Sequence, residues 1–289
     1  MTEVWQPGLP GVFDIPAEVY HKAPGVSNSM LGEMDPPARL PVYLSKLREV
    51  TPWMVMGTLI HQRILEPERP LPKLAIQPET YGPESKKWTG NAKECAAWLR
   101  AQEAAGRIVQ TRAEADRVTG CVDAILSHPT CSDIFAAGRS EVSIFNRLEV
   151  GSGDVLTKAR LDWIPDGSDS LVDVKKVGKG KAAPDAFILL AVERRYHVQA
   201  GGYLHNWNAQ MGATDPREKF TFVVVEDEAP FLVNIITLGR RTLELGLDLY
   251  FEDLDLYRRC LEANRWAGYG DEPTVAEAPE WVFRKGGRL

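Results

Sequence analysis

The sequence predicts an α/β fold, a sheet layered by helices and preceded by a helical elaboration. Three observations carry this. At Ser140 the chain changes from helical periodicity to short alternating stretches; helical patterns then interrupt the strands; and the longest apolar run, Ala186–Val192, is far short of the ~20 residues a bilayer requires. Residues 1 to about 26, rich in Pro and Gly, read as an irregular arm. Ser27-Asn28-Ser29-Met30-Leu31 looks like a helix entry, with Ser27 or Asn28 capping the first free N–H groups. After the Asp35-Pro36-Pro37 break, Val55, Met56, Leu59, Ile60 and Ile64 recur at helical spacing, predicting a helix near 53–66 that Pro67 ends. A turn-rich segment leads to amphipathic helices near 85–106 and 111–127. Residues 141–145, 155–164 and 171–175 then read as three strands of an antiparallel meander, parted by Gly-rich turns. Helices near 184–193 and 196–211, strands near 219–226 and 231–237, and a helix over 239–264 complete the order.

A chain that is 44% hydrophobic and 26% charged can bury a sizeable core, which excludes a disordered chain. At ~150 residues per domain, 289 residues allow one or two. The reading adopted is one unit over 1–289, with 1–135 an elaboration and 136–289 the sheet core. A boundary near 130–140 is the alternative, disfavoured because the last strands still need a helical layer on each face. The net charge of -6, from 34 basic and 40 acidic residues, gives no overall attraction for nucleic acid, so local distribution decides. Two stretches are basic: Lys175–Lys181 and the tail Phe283–Leu289. A lysine cluster alone is more often a solvated loop than a phosphate contact. The opening residues lack the basic start and apolar core of a secretory signal, so a cytoplasmic, non-membrane protein is expected. Cys95, Cys121, Cys131 and Cys260 form no C-x-x-C pair and are expected to be reduced and mostly buried.

Alternation along Lys158-Ala-Arg-Leu-Asp-Trp163 places Lys158, Arg160 and Asp162 on one face and Ala159, Leu161 and Trp163 on the other. In the next strand Val172 and Val174 point to the core while Asp173 and Lys175 share the opposite face. Asp162 and Asp173 can therefore meet across adjacent strands. Converging carboxylates repel unless a cation or proton lies between them, and hard oxygen ligands favour Mg²⁺ or Mn²⁺. A bare D…D-x-K string is more often an ordinary cross-strand surface pair. Three further features surround it: His61 on an otherwise apolar helix, Glu141 opening the first strand, and Gln199 with Tyr203 one helical turn apart. Singly, these are a satisfied core histidine, a solvated strand-end acid and a polar helix edge; it is their order around the D…D-x-K core that favours chemistry.

With these residues in place, most of the chain resembles the RecE-type (exodeoxyribonuclease VIII) nuclease domain of the PD-(D/E)XK superfamily, related to RecB-like and lambda-type exonucleases. The matching stretches are Ser27–Leu31, Gly57–His61, Leu65–Glu68, Arg160–Asp162, Val172–Lys175 and Tyr196–Tyr203. The resemblance implies a restriction-endonuclease-like core with a mixed central sheet flanked by helices. It also implies resection of duplex DNA from its ends, commonly 5′ to 3′, leaving a single strand for a RecT-like annealing protein, and a ring-shaped homo-oligomer. By position it makes His61, Asp162, Asp173 and the Val174 carbonyl the ligands of Mg²⁺ or Mn²⁺, with Lys175 the catalytic lysine. Gln199 and Tyr203 match the supporting Q-x-x-x-Y motif, and Glu141 joins the catalytic candidates. Ser29, Arg160, Lys176, Lys179 and Lys181 are the candidate DNA contacts. Two positions depart from many relatives: Asp173 stands where they carry Glu, and Lys176 where they carry Thr. Only Cys260 follows Tyr203, so no iron–sulfur cluster of the RecB-like kind is expected.

The implied chemistry is phosphodiester hydrolysis by metal-activated water, with Lys175 orienting the nucleophile or stabilising negative charge. A restriction-like endonuclease would use the same site. A silent DNA-binding scaffold is disfavoured by the intact His61, Asp162, Asp173 and Lys175.

Overall fold

The computed structural model describes residues 5–46, 51–270 and 272–284; the first four residues of the arm and the end of the basic tail lie outside them. The chain begins with β1 (Gly11–Phe13), α1 (Ala17–Lys22), α2 (Asn28–Gly32), α3 (Arg39–Ser45) and α4 (Pro52–Leu65). Then come β2 (Leu74–Ile76), β3 (Thr80–Tyr81), β4 (Lys86–Lys87), α5 (Lys93–Ala104), β5 (Ile108–Gln110), α6 (Arg112–Ser127) and α7 (Pro129–Ile134). The sheet core follows as β6 (Gly138–Val150), β7 (Gly153–Pro165), β8 (Ser170–Val177), α8 (Pro184–Glu193), α9 (Tyr196–Met211), β9 (Lys219–Glu226), β10 (Val233–Thr237) and α10 (Arg240–Glu262). A short α11 (Glu280–Arg284) comes last.

Six strands form a mixed sheet in the order β1-β6-β7-β8-β9-β10. The pairs β6–β7, β7–β8 and β9–β10 are antiparallel, and β8–β9 is parallel, as a crossover through α8 and α9 requires. β9 is buried throughout its last seven residues, which explains its apolar run Phe222–Val225: Phe220, Phe222 and Val224 face α8 and α9, while Val223 and Val225 face α4 and α6. Helix α4 buries Met56, Leu59, Ile60, Ile64 and Leu65 in that second layer. Its entry is set by Pro52 in the first turn and by Thr51, whose side chain accepts from the Met54 N–H. α6 begins with a reciprocal capping box between Thr111 and Glu114.

Several expectations need correction. The arm is not wholly irregular: β1 pairs with β6, α1 follows, and Val26 bridges Thr157. Prolines and glycines concealed these elements because each is too short to show a period. The helix expected from about 85 starts only at Lys93, and residues 80–87 make a small hairpin. Trp163 does not share the Leu161 face. Leu161 lies in the α8/α9 layer, whereas Trp163 packs with α4 and α6, meets Phe135 edge to face at 5.6 Å and donates from its indole to the Ile134 carbonyl. The period of two breaks beside Asp162. The third strand of the meander pairs with its neighbour only at Trp163–Val172, so β7 and β8 splay apart beyond that point. Among the described residues no helix is long and apolar enough to cross a membrane. The four cysteines are buried and unbridged.

Candidate active site

The splay between β7 and β8 leaves backbone groups without a strand partner, and side chains take their place. Val174 N–H donates to Asp162 Oδ2 at 2.9 Å, and the Val174 carbonyl accepts from His61 Nε2 at 2.9 Å. One peptide neighbourhood of β8 thus fixes a carboxylate from β7 and an imidazole from α4. A carbonyl offers only lone pairs, so Nε2 carries the ring proton and Nδ1 presents its lone pair, 3.5 Å from Asp162 Oδ2.

Glu141 completes the cluster. The β6–β7 ladder runs from Ser140 opposite Trp163 to Val142 opposite Leu161 and skips Glu141 and Asp162 between them. Glu141 has φ 54, a left-handed conformation that is sparsely populated for a non-glycine residue and costs about 1–3 kcal/mol. The strain turns its side chain into the gap, where Arg160 Nε donates to it at 2.5 Å. Donor atoms of His61, Glu141 and Asp162 all lie within 4.8 Å of one another. The sequence names Glu141 as a catalytic candidate and not as a ligand; its place in the cluster depends on the skipped ladder position, which no local pattern signals.

Asp173 approaches from the α9 side. It is 1% exposed; Gln199 Nε2 donates to its Oδ1 at 2.8 Å, and Lys175 Nζ stands 2.5 Å from its Oδ2. The glycines of the Q-A-G-G-Y stretch explain how α9 reaches this position. A Cβ on Gly201 would come within 2.5 Å of Leu247 N, so the close approach of α9 to α10 requires glycine there.

A family model, a PDDEXK-like domain of unknown function (DUF3799), matches residues 43–277. The chain belongs to this family. The fold is similar to that of a solved protein from Eubacterium rectale described as a "putative exonuclease", at 11% identity and TM-score 0.58, covering 96% of this chain and all of the other. A phage-related exonuclease from Haemophilus somnus 129PT matches at 13% identity over 68% of this chain and 98% of its own, with a TM-score of only 0.30, too low to bear on the fold. No curated protein matches.

In this PDDEXK-like domain the donor set of His61, Glu141 and Asp162 suits a divalent cation: one imidazole nitrogen with its lone pair free and two carboxylates beside it; Asp173, expected as a ligand, lies outside this group, its Oδ2 ion-paired with Lys175. The electrostatics point the same way. Burial, with Asp173 beside it, pushes the Asp162 carboxyl up to about 7. Burial pulls Lys175 down, but Asp173 and Asp162 outweigh it and hold the ammonium above its ordinary value. The Tyr203 phenol is pushed well up by burial.

A cavity of about 860 Å³ opens over the cluster, lined by Ser29, Gly57, His61, Glu141, Arg160, Asp162 and Tyr203 among others. Ser29 therefore faces the same space as the metal donors. Arg160 does too, but it is spent on internal hydrogen bonds, with Ser143 Oγ and the Ile15 carbonyl each at 2.8 Å besides Glu141. Lys158 ties down the arm, donating to the carbonyls of Tyr20, His21 and Ala23 at the end of α1. Lys176 departs from its expected place. It lies opposite Asp173 and Lys175, buried over the Trp53 ring and 3.9 Å from Asp227, and burial lowers it to about 7. Lys179 and Lys181 are exposed, on a loop whose Gly180 and Ala182 N–H groups donate to the buried Glu226 carboxylate.

Proposed function

We propose that the protein is a metal-dependent deoxyribonuclease that hydrolyses the phosphodiester bonds of duplex DNA from its ends, in the manner of RecE-type exonucleases. The observation that carries the reading is the convergence of His61, Glu141 and Asp162 within 4.8 Å beside the Asp173–Lys175 pair. A bound Mg²⁺ or Mn²⁺ would supply Lewis acidity, lowering the pKa of a water and offsetting charge on the phosphate. His61, Glu141 and Asp162 would hold that ion, while Asp173 holds Lys175 beside them. Lys175, kept protonated by its two acidic neighbours, offers N–H donors to negative charge developing on the phosphate. Gln199 fixes the orientation of Asp173, and Tyr203 closes the wall of the cavity. Of the candidate DNA contacts, Ser29, Lys179 and Lys181 are exposed and would meet phosphates.

The end-dependent form of the reading rests on the motif set shared with RecE-type nucleases, and it brings 5′ to 3′ polarity, cytoplasmic action, a ring-shaped homo-oligomer and a RecT-like annealing partner as parts of the same proposal. The test is digestion of linear and circular duplexes labelled at the 5′ or 3′ end, with Mg²⁺, Mn²⁺ or chelator. Metal-dependent loss of label from linear DNA alone is expected. Cleavage of circles would make the protein an endonuclease, and retention of every substrate with metal present would remove the nuclease reading.

A further inference from the structure

Lys175 is restrained from two directions, only one of which belongs to its own strand. Asp173 holds it through the 2.5 Å ion pair. On the helical side its ammonium sits over the Tyr196 ring, 4.7 Å from the centroid, with the Phe222 ring behind at 5.8 Å. A lysine has four carbons of rotatable stem and a compact charge, so one ion pair leaves the ammonium free to swing about its partner. The negative face of an aromatic ring attracts a cation and supplies a second fixed point.

Tyr196 is built to be immobile. It opens α9, one residue after Arg195, which takes a left-handed φ of 58 and is ion-paired to Asp253 of α10. Its ring lies 6.3 Å from that of Phe187 and 6.1 Å from that of Phe222, an aromatic group joining α8, α9 and β9. A leucine would fill much of the same space without offering the ring face.

We propose that Tyr196 is the positioning residue for Lys175: its ring fixes the ammonium where it meets the scissile phosphate. The catalytic half of this inference rests on the nuclease reading; the restraint itself does not. Tyr196→Leu and Tyr196→Phe are compared with the full-length wild type on linear duplex DNA with Mn²⁺, after thermal melts confirm folding. Tyr196→Leu should lower kcat about tenfold, as loosened catalytic groups do, while KM for DNA and Mn²⁺ affinity stay put. Tyr196→Phe should retain wild-type kcat. A readout independent of activity is NMR of protein with ¹³C-labelled lysine ε-carbons, the Lys175 signal being assigned by its loss in Lys175→Arg. That signal should be equally ring-current shifted in wild type and Tyr196→Phe and clearly less shifted in Tyr196→Leu, where only the more distant Phe222 ring remains.

Wild-type kcat in a folded Tyr196→Leu, or equal losses in the Leu and Phe variants, would overturn the proposal. So would an unshifted Lys175 signal in the wild type, a measurement that stands even if the Leu variant does not fold. If the wild type cleaves no DNA, the nuclease reading falls, and the NMR comparison alone decides whether the ring holds the lysine.

Discussion

His61 Nδ1 and Asp162 Oδ2 lie 3.5 Å apart, from α4 and β7, and both side chains are bonded to the backbone of Val174. The β8 strand therefore acts as a jig, setting an imidazole and a carboxylate side by side with neither touching the other through a hydrogen bond. The lone pair of Nδ1 and the oxygens of Asp162 and Glu141 face a common point.

If that point takes a cation, His61→Ala should weaken Mn²⁺ binding about tenfold or more, measured by calorimetry. Acidification below about 7, where the Asp162 carboxyl takes up a proton, should weaken binding to the wild type as protons compete with the cation. Equal affinities in the variant and wild type would remove His61 from the ligand set.

Asp162 makes a second, opposite-signed forecast for the metal-free protein. Its folded pKa, about 7, lies above the unfolded ~3.9, so the folded state binds the proton more tightly. The contribution to stability is full below the unfolded value and is lost as pH rises from about 4 through about 7. Thermal melts in chelator should therefore show a decline over that window that Asp162→Asn removes. Added Mn²⁺ should restore most stability at the alkaline end, where the carboxylate is free to bind it. A wild type and an Asn variant with parallel pH profiles would contradict this.

Lys175 and Asp173 face each other in the interior, so replacing either strands the other's charge. Lys175→Met should cost about 3–5 kcal/mol in urea unfolding as well as activity, because a buried pair broken on one side leaves an uncompensated ion. Pairing it with Asp173→Asn should recover a large part of that stability while hydrolysis stays abolished. Simple additivity of the two unfolding penalties would mean that the ion pair carries no coupling.

Among the three lysines of the basic stretch beyond Lys175, only Lys179 and Lys181 face solvent. Replacing both by Ala should weaken DNA binding and make the fall of log K with log salt shallower by roughly 1–2, because each phosphate that is no longer neutralised by a lysine keeps its counterion. Lys176→Met should leave that slope unchanged, since its ammonium is sealed against Trp53 and Asp227. A fluorescence titration of labelled duplex at several salt concentrations reads both; an unchanged slope in the double variant would make the loop a solvated surface.

The sequence by itself determined the elements whose signal is local. The period of 3.6 in Val55–Ile64 and the capping residue Ser27 are readable without any partner, as is the alternation that sends Val172 and Val174 one way and Asp173 and Lys175 the other. Asp162, Asp173, Lys175, Gln199 and His61 could be proposed together because their order along the chain is itself a pattern. Tertiary structure alone decided what depends on distance between strands. The skipped ladder position brought Glu141 into the cluster, the break of alternation beside Asp162 sent Trp163 to the other layer, and the closure of α9 over the sheet buried Asp173 and gave Lys175 its aromatic wall. It also decided that Lys176 is inside and Lys179 outside, two neighbours in one basic run. Local propensity and periodicity act within a few residues, whereas the splay of β7 from β8 is a relation between two separate strands of which the chain carries no local record.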